Sequence, residues 1–249
     1  MMTIAELSRV ERVFSNGVKA LGPLDLAIEN GEFLSLLGPS GCGKSTALRI
    51  IAGLLAPTAG RLHWPQAKPR IGFVFQDPTL MPWAIVHHNV RLPLDLLSVP
   101  RKEADATAES ALARVGLSDF AGAFPRALSG GMRMRVSIAR ALAARPNLLL
   151  MDEPFAALDE ISRDALNDDL LKLWREDGLT IVFVTHSVYE STFLSTRIVT
   201  LTKRPGRIAS EIALDSPRLR TSDWRLTPEF AGATRRVSEA LRSAIAAAV

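Results

Sequence analysis

The stretch of sequence that decides the fold is Gly38-Pro-Ser-Gly-Cys-Gly-Lys-Ser45. An apolar run, residues 33–37, precedes it, and a segment with apolar residues at helical spacing, residues 44–55, follows it. The stretch matches the pattern G-x-x-x-x-G-K-[ST] at each fixed position, and its glycines let backbone N–H groups and the positive end of a helix surround a phosphate. We therefore predict a nucleotide-phosphate site, with Lys44 at the β and γ phosphates and Ser45 as a ligand of Mg²⁺.

The composition is that of a folded α/β protein. The 249 residues are enough for one domain, and the hydrophobic share of 47% is ordinary for a globular chain. No apolar run approaches the roughly 18 residues that a membrane-spanning helix needs, and the charged N-terminal segment is unlike a signal peptide. Because Cys42 is the one cysteine, no internal disulfide can form. We expect the protein to stay in the cytoplasm, a reducing compartment.

The net charge of +4 lies wholly in the C-terminal segment, residues 203–249, because basic and acidic residues balance in the rest of the chain. A basic tail near a membrane attracts anionic lipid headgroups. The alternative is a solvated helix face, which we favour because acidic residues are interleaved with the basic ones. A basic chain also raises the question of nucleic acid, but the motifs described below lead us to expect no nucleic-acid partner.

Strand-like and helix-like segments alternate along most of the chain, which predicts a mainly parallel sheet with helices on its faces. Residues 3–27 are instead typical of short antiparallel strands around a turn at Ser15-Asn16-Gly17. Prolines punctuate short helical stretches in residues 77–127. We predict one domain with its core in residues 1–76 and 140–215, a helical sub-domain at 77–139 and a helical tail at 216–249.

Two further motifs have the chemistry that a phosphate loop needs. The apolar run Leu148-Leu-Leu-Met151 ends in Asp152 and Glu153. In phosphate-loop enzymes an aspartate at this place sits near the magnesium, and the adjacent glutamate is then a candidate to polarise the attacking water. Alone this signal is weak, because buried strands often end in a carboxylate. The step Ser129-Gly130-Gly131 directly precedes a predicted helix, whose N-terminus makes it a second phosphate-binding site.

A chain with two separate anion cradles resembles an ATP-binding-cassette ATPase, and the similarity runs along most of the sequence. The resemblance implies an α/β fold of the P-loop NTPase class, with a RecA-like parallel-sheet core, an N-terminal antiparallel β sub-domain and a helical sub-domain. It also implies that Gln76 touches Mg²⁺ and water, that His186 contacts the γ-phosphate and that Phe14 stacks on adenine. Each has an alternative: Gln76 is also ordinary at a strand end, His186 as a structural residue and Phe14 in the core.

The expected site residues fall into groups by role. Those expected to take part in catalysis are Lys44, Gln76, Glu153 and His186. The ATP contacts are expected from Phe14, Gly38, Pro39, Ser40, Gly41, Cys42, Gly43, Lys44, Ser45 and Thr46. The expected metal ligands are Ser45, Gln76 and Asp152. The residues that the resemblance assigns to a second copy's nucleotide or to the dimer interface are Ser129, Gly130, Gly131, Ala157, Leu158 and Asp159.

In the family that the sequence resembles, two cassettes face head to tail, and each ATP lies between the phosphate loop of one copy and the Ser129–Gly131 step of the other. The resemblance therefore implies ATP and Mg²⁺ as cofactors and a second copy of the chain as a partner. The sequence departs from the family pattern at Met134, Ala156 and Ser187, where glutamine, serine and aspartate are frequent. We expect these departures to change the rate of ATP hydrolysis or the closure of the dimer. The sequence does not indicate whether either is raised or lowered.

Cassettes of this kind drive membrane transport, but some act on DNA or ribosomes. The helical insert has the size of a transporter sub-domain, and the long heptad coiled coil of a DNA-repair protein is missing from the sequence. We expect this chain to be a peripheral subunit at the cytoplasmic face of the inner membrane. A separate transmembrane permease subunit is expected to contact its apolar cluster Met81, Trp83 and Ile85. Internal packing of the sub-domain explains this cluster equally well.

Two stretches, Leu80-Met-Pro-Trp83 and Lys203-Arg-Pro-Gly-Arg-Ile208, resemble the nitrate, sulfonate and taurine importer branch. This resemblance implies ATP-driven uptake of a small anionic or organic solute, with a solute-binding protein as an indirect partner. Related importers of pyrimidine precursors share much of the same sequence and stay an alternative, and a non-transport ATPase acting on DNA is less favoured. The intact catalytic set argues against a degenerate cassette with a structural role.

Overall fold

The computed structural model describes residues 2–215, 217 and 220–246. The strands in this part of the chain are β1 (Thr3–Val13), β2 (Lys19–Glu29), β3 (Phe33–Leu37), β4 (Ala59–His63), β5 (Ile71–Val74), β6 (Leu148–Asp152), β7 (Thr180–Thr185), β8 (Arg197–Leu201) and β9 (Ile208–Ala213). The α-helices are α1 (Lys44–Ile51), α2 (Val86–Leu96), α3 (Arg101–Arg114), α4 (Gly130–Ala143), α5 (Glu160–Asp177), α6 (Val188–Leu194) and α7 (Pro228–Ala246). The chain divides into two compact units, residues 1–69 with 171–249, and residues 70–170.

The predicted elements are present, and the differences have local causes. Helix α1 ends at Ile51 rather than at residue 55, because Gly53 takes a φ of 75° that interrupts the helix. The sequence pattern does not reveal β4 or β9. In β4 only Leu62 is even half-buried, and β9 pairs at the edge of its sheet, so neither has the apolar run of a central strand.

The first unit contains two sheets. Strand β1 lies between β2 and β4 and is antiparallel to both. The N-terminal pattern predicts the β1–β2 pair, and β4 adds a third strand to it. Strand β3 lies between β7 and β8 and is parallel to both, while β9 extends this sheet antiparallel to β8. All side chains of β3 and β7 are buried, as in parallel sheets covered on both faces. The phosphate loop thus follows the central strand of this sheet.

Helix α7 packs against the strand that leads into the phosphate loop. Val237 of α7 forms a fully buried cluster with Leu37, the last residue of β3, and Ile198 of β8. Val188, the first residue of α6, also packs against this cluster. Displacement of α7 would therefore expose the C-terminal end of β3 and the N-terminal end of α6.

A buried ion pair fastens the other end of the same sheet. The guanidinium of Arg197 donates to both carboxylate oxygens of Glu32, at 2.8 and 3.0 Å, and Glu32 is 7% exposed. Arg197 also donates to Glu211 across the β8–β9 pair. Burial lowers the pKa of Arg197, but hydrogen bonds and charge from Glu32 and Glu211 outweigh burial and raise it. The start of β3 is therefore tied to β8 and β9 by charge-assisted bonds.

In the second unit, β5 and β6 form a parallel pair, and α2, α3 and α4 pack on one another. Arg91 of α2 donates to Asp95 on its own helix and, at 2.6 Å, to Asp105 of α3. The hydrogen bond from Arg91 is the main cause that holds the pKa of Asp105 below its ordinary value. Among the residues that the structure describes, no helix is both long and apolar enough to cross a membrane.

Candidate functional site

The phosphate loop joins β3 to α1 and ends in a helix N-terminus that no side chain caps. Gly43 is the N-cap residue, with a φ of 110°, and the first turn of α1 contains no acidic residue. A helix start of this kind directs backbone N–H groups and a partial positive charge toward the space in front of it. Ser45 and Thr46, both half-buried, lie in this first turn. The arrangement suits an anion.

The backbone around the loop is packed so closely that glycine is required at two positions. A Cβ atom at Gly43 would lie 2.7 Å from the carbonyl oxygen of Ala20 and from Leu21. A Cβ at Gly206 would overlap the carbonyl oxygen of Cys42. The stretch that contains Gly206 was predicted only as a branch marker, but it packs on the outside of the loop, and Arg204 Nε donates to Gly41 O at 3.0 Å.

The ammonium group of Lys44 is held by backbone carbonyl oxygens of the loop itself. Its Nζ donates to the carbonyl oxygens of Gly38, at 2.8 Å, and Pro39, at 3.0 Å, and the residue is 3% exposed. A buried ammonium held by the loop itself, beside a helix N-terminus, is a donor set that fits the charge of a triphosphate. The sulfur-bearing Cys42 is buried against the loop backbone.

His186 follows β7 at the same edge of the sheet as the phosphate loop. Leu37 of β3 pairs with Thr185 of β7, so Gly38 and His186 each come one residue beyond this pair. His186 is exposed, and the next residue, Ser187, caps α6 by accepting a hydrogen bond from Glu190 N–H at 3.2 Å. Ser187, where the family frequently has aspartate, thus has a structural role as a helix cap.

Phe14 lies in the turn between β1 and β2. Its ring is 37% exposed, and the guanidinium carbon of Arg12 is 5.0 Å from the ring centroid. The turn is closed by hydrogen bonds between Phe14 and the backbone of Gly17 and Val18. Phe14 therefore does not belong to the core, which was the alternative to its predicted contact with a nucleotide base.

In the second unit, Gln76, Asp152 and Glu153 lie at one edge of the β5–β6 pair. Val74 pairs with Met151, so Gln76 and Glu153 each come two residues beyond this pair. Asp152 is 6% exposed, whereas Gln76 is exposed. Glu153 has a φ of 44°, which is uncommon for a residue with a side chain. Such backbone strain is found often at functional positions.

The second predicted phosphate cradle is the start of α4. Ser129 is its N-cap, and the Ser129 hydroxyl accepts a hydrogen bond from Met132 N–H at 3.2 Å. A Cβ at Gly130 would lie 3.5 Å from Leu158, and at Gly131 it would lie 3.6 Å from Ser162, both ordinary contacts. Neither glycine has a positive φ. The packing of the chain itself therefore does not require glycine at either position.

Several predicted residues of the second unit border one cavity of about 470 Å³. Its lining includes Gln76, Gly130, Ala157, Leu158 and Met134, the last being one of the departures from the family pattern. Asp159 caps the following helix. Its hydrogen bonds with Ser162, first the backbone N–H and then the side chain, lower the pKa of Asp159 below its ordinary value. Ala156 is exposed, and nothing in the structure explains its difference from the family pattern.

Two side chains that no sequence motif indicates, those of Arg140 and Asn89, hold the loop after Gln76. Arg140 of α4 donates to the carbonyl oxygens of Pro78 and Thr79, at 2.8 and 2.9 Å. Burial lowers the pKa of Arg140. Asn89 of α2 accepts from Met81 N–H at 2.7 Å and donates to Met81 O. Asn89 is fully buried, and a buried polar side chain needs hydrogen-bond partners, which the backbone of this loop supplies.

This loop presents one aromatic side chain to the outside. Trp83 is 77% exposed, while Met81 and Ile85 are half-buried. The indole is thus the most exposed member of the predicted apolar cluster. An exposed tryptophan on a loop that is held by several side-chain hydrogen bonds is typical of an interaction surface.

Comparison with known proteins identifies the family. Residues 21–156 match the ABC transporter family. The chain is 46% identical over 228 residues to an ABC transporter ATP-binding protein of Methanocaldococcus jannaschii, covering 89% of this chain and 85% of the relative. It is 42% identical to the taurine import ATP-binding protein of Rhizobium johnstonii, covering 92% of both chains. It is 41% identical to the nitrate import ATP-binding protein of a Synechocystis strain, covering 97% of this chain and 95% of the relative.

Solved structures agree with this result. The dimeric post-hydrolysis state of the ATP-binding cassette MJ0796, bound to ADP and Pi, matches with a TM-score of 0.76 and 34% identity. The match covers 86% of this chain and all of that one. The chain therefore belongs to the ABC transporter family and is one of its ATP-binding, ATP-hydrolysing subunits. The predicted fold class and the resemblance to nitrate and taurine import proteins are confirmed.

Gly43→Ala should abolish nucleotide binding, because the new Cβ collides with the backbone of Ala20 and the φ of 110° disfavours a side chain. Titration with a fluorescent ATP analogue measures the effect. Gly31→Ala is the matched control, since Gly31 has a φ of 76° but open space for a Cβ. Binding that survives in Gly43→Ala, or is lost equally in Gly31→Ala, would contradict the geometric requirement at the loop.

Proposed function

We propose that this chain powers uptake of a small anionic or organic solute through a separate permease, and that it hydrolyses ATP between two copies of itself. The observation that carries the proposal is the pair Gly130 and Gly131, which the packing of their own chain does not need. Small residues at a helix N-terminus, beside the Ser129 cap, leave room for a ligand that approaches from outside. The ligand that we propose is the γ-phosphate of ATP held by the second copy.

Within this proposal, the first unit binds the nucleotide of its own copy. The Lys44 ammonium exchanges its bonds to loop carbonyls for bonds to the β and γ phosphates, and the uncapped start of α1 supplies backbone N–H donors. Phe14, which is 37% exposed, stacks on the adenine. His186 contacts the γ-phosphate, because it leaves the sheet beside Gly38 and is exposed.

Ser45, Gln76 and Asp152 are the proposed Mg²⁺ ligands. No group of three or more His, Cys, Asp or Glu side chains within the described ranges is suited to holding a metal ion. An ion at these residues would therefore be bound largely through phosphate oxygens, as Mg²⁺ usually is in nucleotide sites. When bound, Mg²⁺ neutralises charge on the β and γ phosphates. The hydroxyl, amide and single carboxylate of these residues are oxygen donors of the kind that Mg²⁺ prefers.

Glu153 is the residue that we propose orients the attacking water. Its carboxylate follows Asp152 at the edge of the β5–β6 pair, and its left-handed backbone fixes the direction in which the side chain leaves the strand. The Ala157–Asp159 segment then crosses to the second copy. The hydrogen bonds of Asp159 with Ser162 lower the pKa of Asp159 below its ordinary value, which favours the charged form of this carboxylate.

Trp83, Met81 and Ile85 are the residues that we propose contact the permease. The hydrogen bonds of Asn89 and Arg140 to the loop backbone restrict its conformation, which reduces the entropy lost on docking. This contact places the chain at the cytoplasmic face of the membrane as a peripheral subunit. A solute-binding protein on the other side of the permease is then an indirect partner.

The solute class is proposed from the relatives. One similar protein is described as a taurine importer subunit and another as a nitrate importer subunit. Both solutes are small and carry an oxyanion group. A pyrimidine-precursor importer is the nearest alternative, and an ATPase acting on DNA is the rival from another class.

Glu153→Gln should lower ATP turnover by about a hundredfold or more while ATP binding is retained, because the amide cannot polarise the attacking water. Phosphate release under steady-state conditions measures turnover, and equilibrium titration measures binding. The control is Glu160→Gln, which removes one carboxylate from an exposed position at the start of α5. Unchanged turnover in Glu153→Gln would remove Glu153 from the mechanism.

Gly131→Asp should lower turnover by about a hundredfold, because a carboxylate would repel the phosphate of the second copy. Folding should be unaffected, since the new Cβ meets only ordinary contacts with Ser162 and Gly131 has no positive φ. Gly122→Asp places the same charge in the same unit, at a position with open space, and should behave as the wild type. Full activity of folded Gly131→Asp would argue against a nucleotide shared between copies.

Trp83→Ala should weaken co-purification with a co-expressed permease by about tenfold, as expected for an exposed aromatic anchor. Leu96→Ala is the control, because Leu96 is also 77% exposed and lies in the same unit. The same preparations test the rival class: turnover should rise with the permease and not with double-stranded DNA. Stimulation by DNA alone would overturn the transport role.

A further inference from the structure

A row of polar residues along α7 lines a cavity of about 470 Å³ in the first unit. Thr234, Arg235, Ser238 and Arg242 are spaced so that they lie on one side of the helix, and the opposite wall includes Tyr189 of α6. Volumes of this size are ordinary for small-molecule sites. The cavity lies away from the phosphate loop residues, none of which lines it.

The cavity is rich in positive charge. Arg225, Arg235 and Arg242 line it, against Glu239 as the acidic lining residue. In the part of the chain that the structure describes, neither Arg235 nor Arg242 forms an ion pair. The guanidinium carbon of Arg225 lies 3.7 Å from the ring centroid of Phe193, which fixes its position. The charge excess of the C-terminal segment is thus partly gathered around one concave site.

Hydroxyl groups and an apolar wall complete the lining. The Oγ1 atom of Thr234 is buried and has no hydrogen-bond partner among the described residues. A threonine in a helix commonly satisfies this atom with a carbonyl of the preceding turn. Tyr189 and Phe230 meet edge to face, with ring centroids 5.0 Å apart, and both line the cavity. The site therefore offers guanidinium forks, an unsatisfied hydroxyl and an aromatic surface.

We propose that this cavity binds a small organic molecule that carries a phosphate group. Arginine forks match the geometry of phosphate oxygens and form charge-assisted hydrogen bonds with them. The hydroxyls of Thr234 and Ser238 supply further donors, and the organic part of the ligand packs against Tyr189 and Phe230. The phosphate group belongs either to a free small molecule or to an anionic lipid headgroup.

The site is connected to the nucleotide end of the first unit through the other face of α7. Val237 lies on that face and packs on Leu37, the residue before the phosphate loop. Val188, two residues after His186, packs on the same cluster, and Tyr189 of the cavity wall is the next residue. A ligand that holds α7 against α6 therefore restrains both segments at their buried ends.

The proposal is tested on the full chain with the substitution Lys44→Ala, which removes phosphate binding at the loop. Calorimetric titrations use inorganic phosphate and phenyl phosphate, and a sedimentation arm uses phosphatidylglycerol vesicles against phosphatidylcholine vesicles. In this background, the double variant Arg235→Gln with Arg242→Gln should bind each probe that the parent binds at least about tenfold more weakly. Arg236→Gln is the matched control, because it removes the same charge from α7 without lining the cavity.

Phenyl phosphate binding that depends on Arg235 and Arg242 supports a free small molecule as the source. Selective sedimentation with phosphatidylglycerol that depends on the same arginines supports a lipid headgroup. The proposal is overturned if no probe binds, if the double variant binds as well as its parent, or if Arg236→Gln weakens binding equally. Circular dichroism of each variant verifies that α7 is folded, and the glutamine substitutions keep most of each side chain.

Discussion

Close backbone packing around the phosphate loop is the constraint on which the nucleotide end of the first unit depends. Gly43 can take its φ of 110° against Ala20 only because it has no Cβ, and Gly206 approaches Cys42 for the same reason. These contacts hold the loop between the start of β2 and the 204–206 segment. The start of α1 has no side-chain cap, and carbonyl oxygens of the loop hold the ammonium group of Lys44. The contacts of Gly43 and Gly206 with their neighbours therefore fix the backbone that forms the anion site.

The two anion cradles differ in what their glycines do. In the phosphate loop, glycine is required by the fold itself. At Gly130 and Gly131 a Cβ atom would meet only ordinary contacts within the chain, and we propose that the small size of these residues serves a ligand from outside it. The negative charge of ATP would be complementary to two helix N-termini. One is the uncapped start of α1 in one copy, and the other is the glycine-rich start of α4 in the second copy. This contrast is the physical basis on which we propose a site completed by two copies.

Much of the fold and of the candidate site could be predicted because the chemistry imposes a pattern. The strand, loop and helix around residues 33–51, the Asp152–Glu153 pair and the Ser129 cap each need particular residue types at a given spacing. Strands β4 and β9 were not predictable, because they are short or pair at a sheet edge and have no apolar run. The bonds of Arg140 and Asn89 to the loop after Gln76 join positions that are remote in sequence, as does the contact of Gly206 with the phosphate loop. Local patterns contain no information on such contacts.

Mixing two inactive variants tests the shared site most directly. Lys44→Ala disables the phosphate loop of one copy, and Gly131→Asp disables the second cradle of the other. A mixed dimer has both lesions at one nucleotide site and an intact site at the other. The measurement is ATP turnover of the equimolar mixture, reconstituted with the permease, against each variant alone. Turnover well above the sum of the two variants is the predicted result, and a mixture no more active than its components would contradict a nucleotide site built from two chains.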